Sequence, residues 1–405
     1  MEQLSYQAKS LWGKKKFDQN TKQELWLPLI AHLTDTKNIM HWLYNNWISS
    51  GTKKILCQDL SDEEMQKLIQ FLGFFHDFGK ATPAFQLKES HPFNRNLDID
   101  IEEKLLRAGF TELNLHQRDF KLSPHPIAGE ALLERYGLNQ YIGVIIGGHH
   151  GTPPSEKVDS HIEENTSNIW GADQDKEIQN QWQTVQKNIF DYGLELCGYQ
   201  DISEVPIVDR PQAVILEGML IMADWFASSE FLNDRNNIEL FPLIGLDKGL
   251  DDLDLTDRYH NAIHHWAVTD RWNPASMPSP TQEFKQRFNL TPRPVQEKMC
   301  AAINQLDDPG MVIIEAPTGI GKTELALAAA EQLAFKTGRD GLYVGLPTQA
   351  TSNAMFSRVK KWLSSIAKQQ EETPDLNLLQ GKAKFYQDYR KLPCAENVDI
   401  ENDYG

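Results

Sequence analysis

Gly73-Phe-Phe-His-Asp-Phe-Gly-Lys80 is the stretch whose reading decides the fold. His76 and Asp77 are adjacent metal-ligand types, and the apolar run Leu68, Ile69, Phe71, Leu72, Phe74, Phe75 leads into them. A polar pair in so apolar a setting needs partners, because an unpaired buried carboxylate costs several kcal/mol or changes its protonation state. A bound cation is one such partner, since neutral imidazole and carboxylate both ligate divalent metals. Helix-permissive residues run from Asp62 to Phe78, and Gly79 then stops the helix. Lys80, four residues past His76, shares its face if the last turn holds. Taken alone, the His-Asp pair is a weak signal.

The remaining histidines and aspartates strengthen it. His32 lies in Pro28-Leu-Ile-Ala-His-Leu-Thr-Asp35, a helical pattern with a proline at its start. His125 lies in Ser123-Pro-His-Pro-Ile-Ala-Gly129, where a helix over 126–136 begins. His149 and His150 close the apolar run Tyr141–Ile146 and are bracketed by Gly147, Gly148 and Gly151. Neighbours on a helix diverge by about 100°, so two adjacent ligands need the irregular backbone that glycine permits. Asp224 sits in a helical run, Ala213–Ala227, that is apolar almost all round and is therefore expected to be central. A hydrogen-bonded polar group beside a core would explain each of these singly.

The order His, His-Asp, His, His-His, Asp resembles the HD-domain metal-dependent phosphohydrolases. It resembles still more closely the nuclease domain of the CRISPR-associated helicase-nucleases of type I systems. The matching segments are Leu11-Trp-Gly-Lys14, His-Asp-Phe-Gly-Lys80, His125-x-x-Ala-Gly129, Gly-His-His-Gly151 and Ala-Asp-Trp225. The resemblance implies two divalent ions, with His32, His76, Asp77 and Asp224 around one. Asp77 would bridge to a second held by His125, His149 and His150. Asp77 and Lys80 would be the catalytic pair, Lys80 neutralising the phosphate as an activated water cleaves a phosphodiester. So many imidazoles favour Mn, Fe, Co or Ni over Mg. The implied substrate is single-stranded DNA exposed by an RNA-guided surveillance complex.

The chain has 405 residues, enough for two or three domains. Hydrophobic residues at 40% and charged residues at 24% describe an ordinary globular protein without a membrane span. The N-terminal residues hold no signal-peptide core, and Cys57, Cys197, Cys300 and Cys394 are too scattered to clamp zinc. A reducing cytoplasm is the expected location. The net charge of −17 opposes a broad nucleic-acid surface and allows only a narrow basic channel.

Taken in order, residues 1–20 read as loop or short strand. Helices follow at 21–49, 62–78, 100–108, 126–136, 139–148, 175–192 and 210–231, with a surface loop over 151–172. Strand signals are nearly absent before residue 300, so this half is expected to be all-α. His260, His264 and His265 sit at helical spacing without a carboxylate pattern and read as a solvated or partner-facing helix. The Pro/Ser-rich Trp272–Thr281 is the best linker candidate.

Beyond it the character changes. Met311-Val-Ile-Ile-Glu315 reads as a strand, followed by Ala316-Pro317-Thr318-Gly319-Ile320-Gly321-Lys322-Thr323 and a helix over Glu324–Phe335. This is a P-loop with Ala316 at the usual first glycine. Backbone N–H groups would converge on phosphates, Lys322 would reach the outer ones and Thr323 would hold the Mg of ATP. A second strand, Gly341–Leu346, leads into Pro347-Thr348-Gln349 and another helix. With Gln296 in Arg293-Pro-Val-Gln296, this resembles the first RecA-like domain of superfamily 2 helicases. That resemblance implies Gln296 on adenine and Pro347, Thr348 and Gln349 on nucleic acid.

The expected architecture is thus multi-domain. An all-α HD-type domain (1–270) and a linker (271–284) precede a partial α/β RecA-like P-loop domain (285–405). No Asp-Glu-x-His or Asp-Glu-x-Asp motif follows residue 355, so the helicase part is expected to be incomplete. A separate chain carrying the other motifs is one expectation, and ATPase activity is doubtful. The alternatives are an HD-type small-nucleotide phosphohydrolase and an inactive remnant.

Overall fold

The computed structural model describes residues 3–111, 113, 120–151, 158–228, 240–265, 272–307, 310–370 and 376. Two compact units emerge, Met1–Ile48 with Lys54–Ala267, and Ser49–Lys53 with Val268–Gly405. No helix among the described residues is long and apolar enough to cross a membrane.

The first unit is built on two helices, α1 (Leu29–Trp42) and α2 (Asp62–Phe75). Ser61 starts α2 with a reciprocal cap: its hydroxyl accepts from the Glu64 N–H, and the Glu64 carboxylate accepts from the Ser61 N–H at 2.8 Å. Asp62, Glu63 and Glu64 in the first turn complement the helix dipole. Beyond that turn α2 buries Met65, Leu68, Ile69, Phe71, Leu72, Phe74 and Phe75, while α1 is buried around most of its circumference. Around this pair stand α3 (Arg95–Arg107), α4 (His125–Arg135), α5 (Gln140–Gly147), α6 (Lys176–Leu196), α7 (Arg210–Ser228) and α8 (Leu255–His265).

The structure departs from the all-α expectation at the N-terminus. β1 (Trp12–Phe17), β2 (Glu24–Pro28) and β3 (Ile244–Gly245) form an antiparallel sheet in that order. Helix α1 therefore begins at Leu29 rather than residue 21. The Lys14-Lys15-Lys16 run hides the strand alternation. Lysines lie over the aromatic members of this sheet: the Lys15 ammonium stands 4.6 Å from the Trp12 ring centroid, and that of Lys104, from α3, 4.4 Å from Trp26.

Two further differences concern the site. Helix α2 stops at Phe75, three residues early, and the chain tightens into a 3₁₀ turn, Phe78–Lys80. Gly79 does not merely end a helix. A Cβ there would stand 1.9 Å from the His125 carbonyl oxygen, so only glycine lets this turn lie against the start of α4. Helix α7 is apolar but not central all round, since Val214 and Trp225 are exposed while Leu216, Met219, Leu220 and Ala223 are buried.

The second unit contains α9 (Pro280–Phe288), α10 (Pro294–Asn304), α11 (Lys322–Thr337) and α12 (Gln349–Gln370). Its buried residues include part of the expected linker. Trp272 meets Trp362 edge-on at 5.5 Å, and Met277 packs with Phe284, Cys300, Leu325 and Ala328. A linker over 271–284 is therefore not a free spacer: its apolar members are recruited into a core, and α9 starts inside it. The two expected strands, Met311–Glu315 and Gly341–Leu346, form no ladder among the described residues. A strand needs a hydrogen-bonding neighbour, and here Met311, Ile313 and Tyr343 are exposed. The polar tail over 371–405 lies outside the described residues, Leu376 apart, as do 152–157 of the expected surface loop.

Candidate metal centre and nucleotide loop

Five elements of the first unit deliver seven side chains to one place. Helix α1 contributes His32, the end of α2 contributes His76 and Asp77, and α7 contributes Asp224. His125 opens α4, and His149 and His150 follow α5 through the Gly147-Gly148 exit. The donor atoms form two groups, each within 4.8 Å: His32, His76, Asp77 and Asp224 in one, His125, His149 and His150 in the other.

Asp77 joins the groups. Its Oδ2 lies 2.8 Å from His32 Nε2 and 3.1 Å from His76 Nε2. Its Oδ1 lies 3.2 Å from His125 Nε2 and 3.4 Å from His149 Nε2. Asp224 Oδ1 completes the first group at 3.5 Å from His32 and 3.4 Å from His76. His150 Nε2 approaches His125 Nε2 at 3.0 Å. Lys80 pairs with Asp77 Oδ2 at 2.6 Å and donates weakly to the Gly13 carbonyl at 3.4 Å.

The donor set fits divalent metal. His76 Nδ1 donates to the Gly73 carbonyl at 2.9 Å and His149 Nδ1 to the Ile146 carbonyl at 2.6 Å, which turns both Nε2 lone pairs inward. Those two Nε2 atoms and Asp77 Oδ1 are buried without a hydrogen-bond partner. Orphaned polar atoms of this kind are costly unless something polar sits between them.

The electrostatics are those of a crowded, largely buried cluster. Burial pushes the His32 and His125 imidazoles down to about 3, with Lys80 adding to the effect on both. Burial also opposes charge on His76, yet Asp77 and Asp224 lift it to about 9. Burial works against both carboxylates, but Lys80 and His76 hold Asp77 well below the usual range, and His76 does so for Asp224. His150, at the outer edge, is lowered by burial and by His149.

In the second unit Gly319 and Gly321 both take positive φ, and α11 begins at Lys322 as the P-loop pattern requires. Lys322 Nζ donates to the Ala316 carbonyl at 2.6 Å, and Arg358 donates to Thr323 Oγ1 at 2.9 Å. Pro317, Thr318 and Ile320 complete the turn. Gln296 is buried rather than exposed toward a base. Its amide donates to the Ile320 and Gly321 carbonyls at 3.3 and 3.1 Å, and its oxygen accepts from the Arg293 N–H at 2.8 Å. Pro347 and Thr348 are exposed, and Thr348 caps α12, where Gln349 is the first residue.

Comparison with known proteins decides the family. Residues 12–232 match the family described as Cas3, HD domain, and residues 293–400 match the DEAD/DEAH box helicases. The chain belongs to the Cas3 family. A CRISPR-associated nuclease/helicase Cas3 of Streptococcus thermophilus is 36% identical over 399 residues, covering 96% of this chain and 42% of that protein. A CRISPR-associated endonuclease/helicase Cas3 of Thermus thermophilus is 28% identical over 90% of this chain and 37% of its own length. The chain thus spans about two fifths of these curated relatives. The solved structure of T. fusca Cas3 with ATP covers 94% of this chain and 40% of its own, at TM-score 0.64 and 22% identity, a likeness of fold.

Several residues that shape this Cas3-family site carry little signal in the sequence. Gln86 is buried and clamps β1: it accepts from the Trp12 N–H at 3.0 Å and donates to the Trp12 carbonyl at 2.9 Å. Gln186 donates to both the Ala81 and Ile169 carbonyls, at 2.9 and 3.0 Å. Asp35, one turn beyond His32, is buried against Arg258 at 2.8 Å. His260 and His264 are exposed and belong to neither of these two donor groups.

Proposed function

We propose that the first unit is a metal-dependent nuclease that cleaves single-stranded DNA. The carrying observation is Asp77, one carboxylate whose two oxygens face two separate donor groups. Divalent ions bound there would supply an activated water and Lewis-acid stabilisation of charge on the attacking and leaving oxygens. His32, His76 and Asp224 would hold the first ion, His125, His149 and His150 the second, and Asp77 both. Lys80, locked onto Asp77, orients that carboxylate. Mn, Fe, Co or Ni suits so imidazole-rich a set better than Mg.

The names of the relatives support a CRISPR setting, in which an RNA-guided surveillance complex would present the strand. Mg-ATP is proposed for the loop Ala316–Thr323, where incoming phosphates would replace the Ala316 carbonyl on Lys322. Gln296 would support that loop from beneath rather than read adenine.

The test uses the purified chain with Mn or Ni on a circular single strand, the matching duplex and deoxynucleoside triphosphates. Linearisation of the single strand that is abolished by chelator and indifferent to ATP is expected. Triphosphate hydrolysis without strand cleavage would replace the nuclease with a small-nucleotide phosphohydrolase, and no turnover with a loaded site would leave a binding protein.

A further inference from the structure

Two lysines stand at the metal centre, and they are not equivalent. Lys80 is occupied: its ammonium pairs with Asp77 Oδ2 at 2.6 Å, reaches the Gly13 carbonyl and lies 5.2 Å over the Phe85 ring. Lys14 comes from β1, on the other side of Gly13, and faces Asp224, Asp77 and Asp35 as well as Lys80. An ammonium has three donors. Among the described residues Lys14 has one acceptor in reach, the Ala227 carbonyl at 3.5 Å, and no carboxylate at ion-pair distance.

Holding a half-buried ammonium so poorly satisfied is unfavourable unless a further anion completes it. Of these carboxylates, Asp77 and Asp224 are directed at the imidazoles and Asp35 at the Arg258 guanidinium. Ala227 lies one turn beyond Asp224 on α7, which places the ammonium beside the outer wall of the first donor group. An anion reaching the donor groups from that side would meet Lys14 with unused N–H bonds, whereas Lys80 would have to abandon Asp77.

We propose that Lys14, not Lys80, is the residue that binds the phosphate of the substrate strand, while Lys80 is a positioning residue for Asp77. This rests on the nuclease reading above and deepens it. The ligand is a phosphodiester oxygen beside the metal centre, taken by a point charge without regard to base.

The experiment separates strand binding from metal loading. Binding of a labelled oligothymidylate is measured by anisotropy in chelator at several salt concentrations, and Mn or Ni per chain is measured separately. Lys14→Met should weaken binding by about tenfold at low salt and flatten the log–log salt slope by about 0.7. It should keep the parent's metal content, and Lys14→Arg should restore the slope. Lys80→Met should lower metal content and keep the slope. A Lys14→Met slope equal to the parent's, with the parent binding the strand, overturns the assignment alone. A parent that binds no strand overturns the nuclease reading together with it. If Lys14→Met loses its metal, the residue is structural and the proposal falls.

Discussion

The two candidate sites are built in opposite ways. The metal centre gathers His32, His76, Asp77, His125, His149, His150 and Asp224 from five elements, and most of these side chains are buried. The nucleotide loop is eight consecutive residues, Ala316–Thr323, with Lys322 exposed. A dispersed, buried site exists only when its core has formed, so its chemistry and its folding are one property. A contiguous loop needs only local backbone geometry, here the positive φ of Gly319 and Gly321. Damage to the first should therefore be read in activity and stability together, and damage to the second in ligand binding alone.

The strongest way to break this contrast is a pair of substitutions. Asp77→Ala should reduce single-strand cleavage by more than about 10³-fold, beyond what one charge-stabilising group contributes elsewhere. Both donor groups lose an oxygen, and the two ions would face each other unbridged. Lys322→Ala should abolish nucleotide binding and leave cleavage at the parent's rate. Cleavage rates under saturating Mn, beside nucleotide binding by anisotropy, check both. Cleavage that survives in Asp77→Ala, or vanishes in Lys322→Ala, would put the nuclease elsewhere.

The same contrast explains what could be read in advance. The P-loop is legible because its residues are neighbours in sequence and each has a backbone reason. The seven metal-site residues are legible only as an ordered series, through resemblance, because periodicity cannot bring His32 beside Asp224. Grouping them around a shared Asp77 is an expectation of that resemblance; in the structure its Oδ1 lies 3.2 Å from His125 Nε2 and 3.4 Å from His149 Nε2. What stayed hidden was hidden by chemistry. Lys14-Lys15-Lys16 masks a strand, because a run of charge such as this, with Lys15 set over the Trp12 ring, looks like a solvated segment. Gln86, Gln186 and Gln296 are each buried and hold backbone carbonyls that no side-chain pattern reveals. The strands at 311–315 and 341–346 have the right composition, but pairing depends on a neighbour that composition does not supply.

The next test asks whether the second unit's stability is independent of the metal centre. Arg287 and Glu331 are buried and joined by hydrogen bonds of 3.1, 2.9 and 2.6 Å. Arg287→Ala strands Glu331 and should cost that unit about 3–5 kcal/mol. Denaturant unfolding should show the second unit's transition moving while cleavage in the absence of denaturant stays. A parallel fall in cleavage would mean the units depend on each other. A smaller effect is expected at the rim of the metal centre. His150 is the exposed member of its group, so His150→Ala should weaken metal affinity by about 10–100-fold, as lost ligand support does. Excess Mn should restore part of the activity, which a metal titration of cleavage would show.

The last test concerns how folding and the metal centre share helix α4. Glu130 lies one turn past His125 and is buried, with one carboxylate oxygen unpaired. Burial, with Glu134 beside it, pushes its carboxyl up to about 7 from 4.5. Between those values the folded state holds a proton that the unfolded chain releases, so unfolding free energy falls as pH rises. Below about pH 4.5 the residue costs nothing by this route; above about pH 7 the full cost is present, on the order of 2–3 kcal/mol. Glu130→Gln removes the charge and keeps the shape. It should therefore raise the first unit's melting temperature at pH 8 by several degrees, at roughly 2–4 °C per kcal/mol. At pH 4.5 parent and variant should nearly coincide, and the second unit's transition should not move at either pH. Scanning calorimetry at the two pH values checks this. An equal shift at both would mean that the introduced amide gains a hydrogen bond rather than that the site loses a charge, and a shift in the second unit would erase the contrast between a site that is part of a core and one that is not.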